Sequence, residues 1–313
     1  FYNGDIDQWK KFGNSLLLRL GMRLSKVKPE LAAATAKAAI EGGIMSEAKD
    51  MCRLKHIAGG RDEDKNPVAL RFQKDNYIGQ GKVKISQTFM NHLQATNDPR
   101  IAVFCSLKDG NADPSIQKGL PNGYDKNTIS TNSDYTGKLE DYSNFNTNVI
   151  LREDAPTLLL MPSESKLLQA EAALRNWVAG DPEALYKEAI CLSMQEQKEA
   201  YGVSISEQQV NDYLAQNLFA NAASQEEKLE VLGNEYWVTT FMNGYESYAN
   251  WRRCGYPKLT PTHYAGNESN GQIPRRLPYA IDEYTINKAN VEQAVQQQGA
   301  DNLNTRIWWD VAK

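Results

Sequence analysis

Apolar and aromatic side chains recur at intervals of three and four residues between positions 224 and 257, the longest patterned stretch of the chain. The pattern is carried by Leu229, Leu232, Tyr236, Trp237, Phe241, Tyr245, Tyr248 and Trp251. This spacing marks one face of an α-helix, so it predicts a single helix of about two dozen residues. Ser224 and Glu227 form a capping box at its start, and Gly255 marks its end. A stripe this wide requires neighbours on more than one side, which predicts a central helix within a helical array.

The same intervals predict helical hairpins before this helix. Residues 1–42 form the first hairpin, in which Asp5 caps the first helix. Residues 164–178 and 182–201 form the second hairpin, and residues 206–222 a further helix. Helical pairs joined by short turns are the unit of tetratricopeptide-type arrays, which stack because neither helix can bury its stripe alone. The fold is therefore expected to be mainly α, with tetratricopeptide-like hairpins as a scaffold.

Two stretches lack this regularity. In residues 43–151 glycine, asparagine, aspartate, serine and threonine dominate, and only residues 86–94 predict a short helix. Long loop-rich stretches inside compact proteins usually carry function, so residues 43–151 are the expected ligand-binding region. Residues 257–313 are interrupted by prolines and glycines and predict one short helix, at 288–298. Their Trp308-Trp309 pair is expected to pack back onto the helices.

These patterns describe a single domain of residues 1–313. Its expected parts are a helical hairpin at 1–42, the loop-rich region at 43–151, helical hairpins with the central helix at 152–256, and an irregular segment at 257–313.

The composition excludes several classes of function. The chain has 24% charged residues and a formal net charge of -4, so it lacks the excess of positive charge that is typical of nucleic-acid-binding proteins. No run approaches the roughly 18 apolar residues that a membrane-spanning helix needs. The cysteines stand too far apart for a CxxC metal or redox motif, so buried or partly buried free thiols are expected and no cofactor is implied. They are Cys52, Cys105, Cys191 and Cys254.

Two acidic loops, at residues 62–66 and 109–113, offer the alternating oxygen atoms that calcium prefers. However, Pro67 and Pro114 stand where the sharp turn of such a site requires glycine. Solvated turns are the simpler interpretation, and no metal site is predicted.

Sugar binding requires a flat aromatic surface for the C–H face of a pyranose, beside polar groups for its hydroxyls. The loop-rich region contains both kinds of side chain. The candidates for ligand contact are Tyr124, Tyr135, Tyr142, Tyr77 and Asn122. The competing interpretation is that each tyrosine clamps its own loop.

Several runs of sequence are similar to the SusD/RagB family, in the order in which that family has them. Two are helical hairpin segments, FYNGDIDQWKKFGNSLLLRLGMRLSKV at the start and ESKLLQAEAALRNWVAGDPEALYKEAI in the middle. Three lie towards the end of the chain: NGYESYANWRRCGYPKL, IPRRLPYAIDEYTINKANVEQAV and GADNLNTRIWWDV. Together they span nearly the whole chain, so the chain resembles the C-terminal portion of a SusD-like protein.

The resemblance implies a surface-exposed outer-membrane lipoprotein of Bacteroidetes. Such a protein binds an oligosaccharide without cleaving it and delivers it to a SusC-type TonB-dependent transporter. It also implies that an N-terminal helical region and its lipid anchor have no counterpart in this sequence. Membrane attachment would then occur only through that anchor.

Some residues at the end of the chain match the family pattern, and we interpret them as structural. They are Glu246, Trp251, Arg252, Arg253, Arg275 and Arg276, with Trp308. The charged members are expected to form one partly buried ion network that ties the C-terminal segment to the central helix.

Three alternatives remain open at this level. A RagB-like member would capture peptides. A glycoside hydrolase would need two carboxylates roughly 5 to 10 Å apart, and the sequence does not place Glu246 opposite Asp282 or Glu283. A purely structural helical-repeat protein would bind no small ligand.

Overall fold

The computed structural model describes residues 1–74 and 83–311. Helices α1 (Ile6–Met22) and α2 (Pro29–Glu41) form the first hairpin, as predicted. Asp5 caps α1 by accepting hydrogen bonds from the amides of Asp7 and Gln8. The two helices approach closely because a small residue lies at their contact, where a Cβ on Gly21 would meet Thr35 Cγ2 at 2.6 Å.

Helix α1 buries only part of its apolar surface. Leu18 and Met22 are fully buried in the main helical core. Trp9, Leu17 and Leu20, which belong to the same apolar spacing, are 43%, 41% and 56% exposed. One helix therefore presents apolar side chains both to the core and to solvent.

The loop-rich region contains more regular structure than its composition predicts. Its elements are strand β1 (Cys52–Leu54), helices α3 (Pro67–Lys74), α4 (Gln87–Ala95) and α5 (Ile101–Phe104), and strands β2 (Cys105–Ser106) and β3 (Asn144–Phe145), with β4 (Thr157–Leu160) just after the region. Strands β1 and β4 pair antiparallel, as do β2 and β3. The strands escape prediction because two to four residues are too few to show an alternating pattern.

This region also has its own apolar core. Phe89 of α4 stacks on Phe241 with ring centroids 4.4 Å apart and an interplanar angle of 7°. Met90, Leu93 and Leu151 are fully buried around this pair. The loops are therefore held on a packed layer that joins them to the helical scaffold.

The second hairpin consists of α6 (Pro162–Leu174) and α7 (Pro182–Tyr201), followed by α8 (Glu207–Gln216). Asp181 caps α7, and Ser206 with Gln209 forms the predicted capping box of α8. Helix α8 ends before residue 222 because the Asn217 side chain donates to the carbonyls of Tyr213 and Thr96. Such local side-chain bonds compete with helix continuation.

The predicted single helix at 224–257 is wrong in one respect, because the structure has two helices there. They are α9 (Gln225–Thr239) and α10 (Gly244–Cys254). The Thr240 hydroxyl donates to the Tyr236 carbonyl at 2.7 Å, and the Asn243 side chain accepts from the amide of Glu246 to start α10. The capping box of Ser224 with Glu227 is confirmed, and so is the end at Gly255, which has a φ of 83°.

A close contact joins α9 to the turn after α10, and it makes Gly233 sensitive to substitution. A Cβ at Gly233 would lie 2.5 Å from Tyr256 Cβ, whereas a Cβ at Gly13 of α1 would meet nothing within 4 Å. We expect Gly233→Ala to lower the free energy of unfolding by about 1 to 3 kcal/mol, because the packed neighbour must move. Gly13→Ala is the matched control and should raise it by up to about 1 kcal/mol. Urea denaturation of both variants tests this, and equal effects would contradict it.

The C-terminal segment is mostly irregular but contains α11 (Glu283–Ile286) and α12 (Lys288–Gln298), the latter as predicted. Of the tryptophan pair, Trp309 packs against the helices, with the guanidinium of Arg252 4.9 Å from its ring centroid. Trp308 is 68% exposed, so the prediction for it is wrong. The two tryptophans lie in a turn closed by the hydrogen bond from the Asp310 amide to the Ile307 carbonyl at 2.9 Å, and only Trp309 is directed at the helices.

Among the described residues, no helix is long and apolar enough to cross a bilayer. All four cysteines are free thiols, with Cys52 and Cys105 buried and the other two half-buried, as predicted.

Candidate functional site

A cavity of about 430 Å³ opens between the start of α4, the loop after Leu120 and residues 259–274. We call it the groove. Its polar lining comprises Ser86, Thr88, Asn122, Thr260, Thr262, Asn267, Ser269 and Gln272, and its apolar lining includes Trp237, Ile273 and Leu303. Hydroxyls and amides therefore surround one large aromatic ring.

The loop that carries Asn122 is held against the first turn of α4. The amide of Gln87 donates to the Leu120 carbonyl at 2.8 Å. A Cβ on Gly119 would lie 2.4 Å from Gln87 Cα, so the absence of a side chain there permits this approach. The backbone thereby fixes the position of Asn122 at the groove.

Asn122 is exposed, and its hydrogen bonds leave its donor group free for a ligand. Its Oδ1 accepts from the hydroxyl of Ser86 at 2.8 Å and from that of Thr88 at 3.4 Å. Within residues 1–74 and 83–311, the hydrogen bonds of this side chain both use Oδ1 as the acceptor, which leaves Nδ2 as an unused donor. This fixed orientation suits recognition of a ligand carbonyl or hydroxyl.

Trp237 supplies the aromatic surface of the groove. Its ring packs edge-on against Phe89 at 4.9 Å and lies 5.6 Å from the ring of His92. The side chain is half-buried, so part of it is supported by the loop-region core and part remains open to the groove. A rigid, partly exposed indole is suited to packing on the C–H face of a sugar.

The predicted tyrosines have different environments. Tyr124 is 40% exposed and follows Asn122 closely in the same loop. Tyr135 is half-buried and stacks on Tyr142, with ring centroids 5.9 Å apart. Tyr77 lies outside the described residues.

Tyr142 presents no surface to solvent, so its predicted direct contact with ligand does not fit the structure. Its hydroxyl donates to the Asp134 carbonyl and accepts from the amide of Thr136, both at 2.9 Å. It clamps its own loop, which is the competing interpretation, and its ring stacks on the half-buried ring of Tyr135.

Sequence reasoning missed Trp237 and the hydroxyl-bearing residues of the groove. Trp237 was assigned to the helical stripe, although Tyr236 beside it occupies the buried face at 2% exposure. Neighbouring positions on a helix point in directions about 100° apart, so one of two adjacent aromatic residues had to face elsewhere. Residues such as Thr262 carry no local signal, because only the fold brings them to the groove.

The charged residues predicted as one network divide into separate clusters. Glu246 lies with Arg19 and Arg23 of α1, with Arg19 Nε 3.4 Å from Glu246 Oε2. Arg253 instead forms a bidentate pair with Glu171 of α6, and both bonds are 2.7 Å long. Arg253 follows Glu246 by seven residues, so the two side chains share a face of α10 but lie about two turns apart along it, and each pairs with a different partner.

The C-terminal segment is held by stacking as well as by charge. The stacked pairs are Arg252 on Tyr248 at 4.3 Å, Arg252 on Trp309 at 4.9 Å and Arg275 on Trp251 at 4.2 Å. Arg276 pairs with Asp301 at 2.7 Å. The contacts of Arg252 with Trp309 and of Arg275 with Trp251 join the C-terminal segment to α10, whereas the Arg276–Asp301 pair lies within that segment.

Burial alone would raise the pKa of Glu171, but Arg253 and Arg175 lower it to about 2. The carboxylate therefore stays charged at neutral pH, as a buried bidentate pair requires. None of these three residues lines the groove, and the structural role predicted for Arg253 stays a prediction.

The acidic loops use their oxygen atoms internally. Asp109, Asn111 and Asp113 each accept from a backbone amide two residues further on, at 2.9 to 3.0 Å. The described residues contain no group of three or more histidine, cysteine or acidic side chains arranged to hold a metal ion.

Comparison with known proteins places the chain in a family. Residues 1–280 match the SusD-like family model described as "Starch-binding associating with outer membrane". A solved chitin-binding protein is 31% identical with a TM-score of 0.85, and the match covers 100% of this chain and 66% of that one. A comparison with curated proteins finds no match.

Two further solved structures are similar. A chitin-binding SusD homologue from Flavobacterium johnsoniae is 27% identical with a TM-score of 0.79, and the match covers 100% of this chain and 65% of that one. A SusD homologue from Bacteroides uniformis is 26% identical with a TM-score of 0.81, and the match covers 99% and 66%. The chain thus spans about two thirds of the length of these relatives. It belongs to the SusD-like family of carbohydrate-binding proteins, whose model describes association with the outer membrane, and it shares their helical, tetratricopeptide-like fold.

Proposed function

We propose that this chain binds an oligosaccharide in the groove without cleaving it. We further propose that the whole protein is a surface lipoprotein of the outer membrane that delivers the glycan to a SusC-type TonB-dependent transporter. The observation that carries the binding proposal is the juxtaposition of Trp237 with the oriented amide of Asn122 in one cavity. A sugar presents an apolar C–H face and a rim of hydroxyls, and the groove offers a partner for each.

Chito-oligosaccharide is the ligand class we favour. Two of the similar solved proteins bind chitin. The acetamido carbonyl of N-acetylglucosamine is a strong acceptor, and the Nδ2 donor of Asn122 suits it. The hydroxyls of Thr88, Thr260 and Thr262 supply donors and acceptors for the sugar hydroxyls.

The lining of the groove favours binding over hydrolysis. Hydrolysis of a glycoside generally requires two carboxyl groups flanking the bond. None of the described residues that line the groove carries a carboxylate. Glu246, one of the acids considered for catalysis, is 5% exposed and occupied by Arg19 and Arg23.

Asn122→Ala tests the proposed site. We expect it to weaken chitohexaose binding about tenfold, because one ligand hydrogen bond of about 1.4 kcal/mol is lost. Isothermal titration calorimetry measures this. Asn127→Ala in the same exposed loop, but outside the groove lining, is the matched control and should bind like the unaltered chain.

Other ligands give distinct results in the same assay. Binding of maltohexaose but not chitohexaose would support oligosaccharide binding in the groove and contradict chito-oligosaccharide as the ligand class. Binding of a peptide pool with no response to either sugar would contradict glycan capture and support the RagB-like alternative. Release of new reducing ends during the titration would contradict binding without cleavage.

A further inference from the structure

Tyr264 lies beside the groove and has no assigned role. It is 45% exposed, and its hydroxyl donates to Asp125 Oδ2 at 2.8 Å. We propose that Tyr264 is a second glycan-contacting aromatic residue, held in place by Asp125, and that it extends the groove to accept oligosaccharides longer than Trp237 alone could engage. This inference rests on the proposed function and deepens it.

The position of Tyr264 follows from direct contact between two loops. A Cβ on Gly123 would lie 2.6 Å from Thr262 Cβ, so the loop carrying Asn122 abuts the loop carrying Thr262. Both Asn122 and Thr262 line the groove. Tyr264 follows Thr262 by two residues, and the amide of Asn267, another lining residue, donates to its carbonyl at 3.1 Å. The backbone of Tyr264 therefore lies beside the groove lining, and the proposal places its exposed ring at the rim.

Asp125 is a rigid anchor for this ring. Its Oδ1 accepts from the amides of Asn127 and Thr128, at 2.8 and 2.9 Å, and from the Thr128 hydroxyl at 2.9 Å. The hydrogen bond from Tyr264 and those from Thr128 and Asn127 lower the pKa of Asp125 to about 2. The acceptor thus stays charged at any pH at which the protein would meet a glycan.

The arrangement suits ligand contact better than it suits stability. A hydrogen bond in full contact with water adds little to folding, because water competes for both partners. The same bond fixes the side-chain rotamer of an exposed aromatic ring, and such pre-organisation reduces the entropy lost when a ligand binds. A fixed ring beside a polar groove is therefore expected to act on binding.

The chain contains a matched control. Tyr284 is 41% exposed and donates to Asp301 at 2.7 Å, so a tyrosine of similar exposure makes the same kind of bond, here to a carboxylate that also pairs with Arg276. Neither Tyr284 nor Asp301 lines the groove. Substitution of Tyr284 therefore removes an equivalent tyrosine–aspartate bond without touching the proposed subsite.

The test is a titration with chitotriose and chitohexaose. Tyr264→Ala should weaken chitohexaose binding about tenfold and leave chitotriose binding within about twofold, because only the longer ligand reaches the rim. Tyr264→Phe keeps the ring and loses the anchor, so it should weaken chitohexaose binding only about threefold. Tyr284→Ala should change neither affinity.

Two results would overturn the inference while leaving the proposed function intact. The first is unchanged chitohexaose binding by Tyr264→Ala. The second is an equal loss for both ligands together with a lowered melting temperature, which would make Tyr264 a tether between loops. If the unaltered chain binds neither chitohexaose nor maltohexaose, the proposed function fails, and this subsite fails with it.

Discussion

Replacing Arg100 by alanine is expected to lower the free energy of unfolding by at least about 3 kcal/mol. The guanidinium is completely buried, and its Nη2 lies 2.6 Å from Asp98 while its Nη1 lies 2.8 Å from Glu235. Nη1 also donates to the hydroxyl of Ser193 at 2.8 Å. Without the arginine, two buried carboxylates lose their counter-charge, and that cost exceeds the net value of the pair itself.

Urea denaturation followed by circular dichroism measures this loss. Arg61→Ala is the control, since Arg61 is 79% exposed and pairs with Asp64 at 3.3 Å, and it should cost less than about 1 kcal/mol. Arg100→Lys keeps the charge but loses the bidentate geometry, so its loss in free energy of unfolding should lie between those of Arg61→Ala and Arg100→Ala. The lysine variant also provides a measurable value if Arg100→Ala does not fold. Equal denaturation midpoints for Arg61→Ala and Arg100→Ala would contradict the role assigned to this cluster.

Glu196→Gln is expected to make the protein more stable at alkaline pH. Burial raises the pKa of Glu196 to about 8, against an ordinary value of 4.5, even though the amide and hydroxyl of Ser163 donate to it. A carboxyl group whose pKa is raised in the folded state contributes stability fully below about pH 4.5. That contribution is lost as the pH rises through about 8. Each pKa unit corresponds to about 1.4 kcal/mol, so the loss amounts to several kcal/mol.

Glutamine keeps the shape of the neutral acid and cannot ionise, so the variant should lack this component of the pH dependence. Melting temperatures at pH 5, 7 and 8.5 test it: the unaltered chain should lose stability across this range more steeply than the variant. Glu207→Gln on exposed α8 is the control and should follow the unaltered chain. Parallel curves for Glu196→Gln and the unaltered chain would contradict a neutral, buried Glu196.

Much of the scaffold could be predicted from sequence, because caps and periodicity are local signals. Ser224 with Glu227, and Ser206 with Gln209, start helices where the pattern places them. The break between α9 and α10 could not be predicted in this way, because Phe241 keeps the helical interval although it points into another core, where it stacks on Phe89. Periodicity reports spacing and does not report which neighbour each side chain meets.

The site was predictable only in part. Asn122 could be identified because the sequence shows a polar side chain within a loop-rich region that also contains tyrosines. Its contact with ligand stays a prediction. Trp237 and Thr262 lie more than 100 residues after Asn122 in the chain, and only tertiary structure unites them with it in the groove. The full burial of Tyr142 likewise depends on how its loop folds over the ring, which residue type alone does not determine.

The groove is lined mainly by loop residues, whereas the buried clusters around Arg100, Glu171 and Glu246 lie between helices. The proposed recognition surface and the buried support are thus formed by different residues of the same chain. Under the proposed function, replacements at positions such as Asn122, Thr262 or Tyr264 are expected to change which carbohydrate is bound while the helical scaffold keeps its shape. This division allows the ligand specificity of such a scaffold to change without loss of its folded structure.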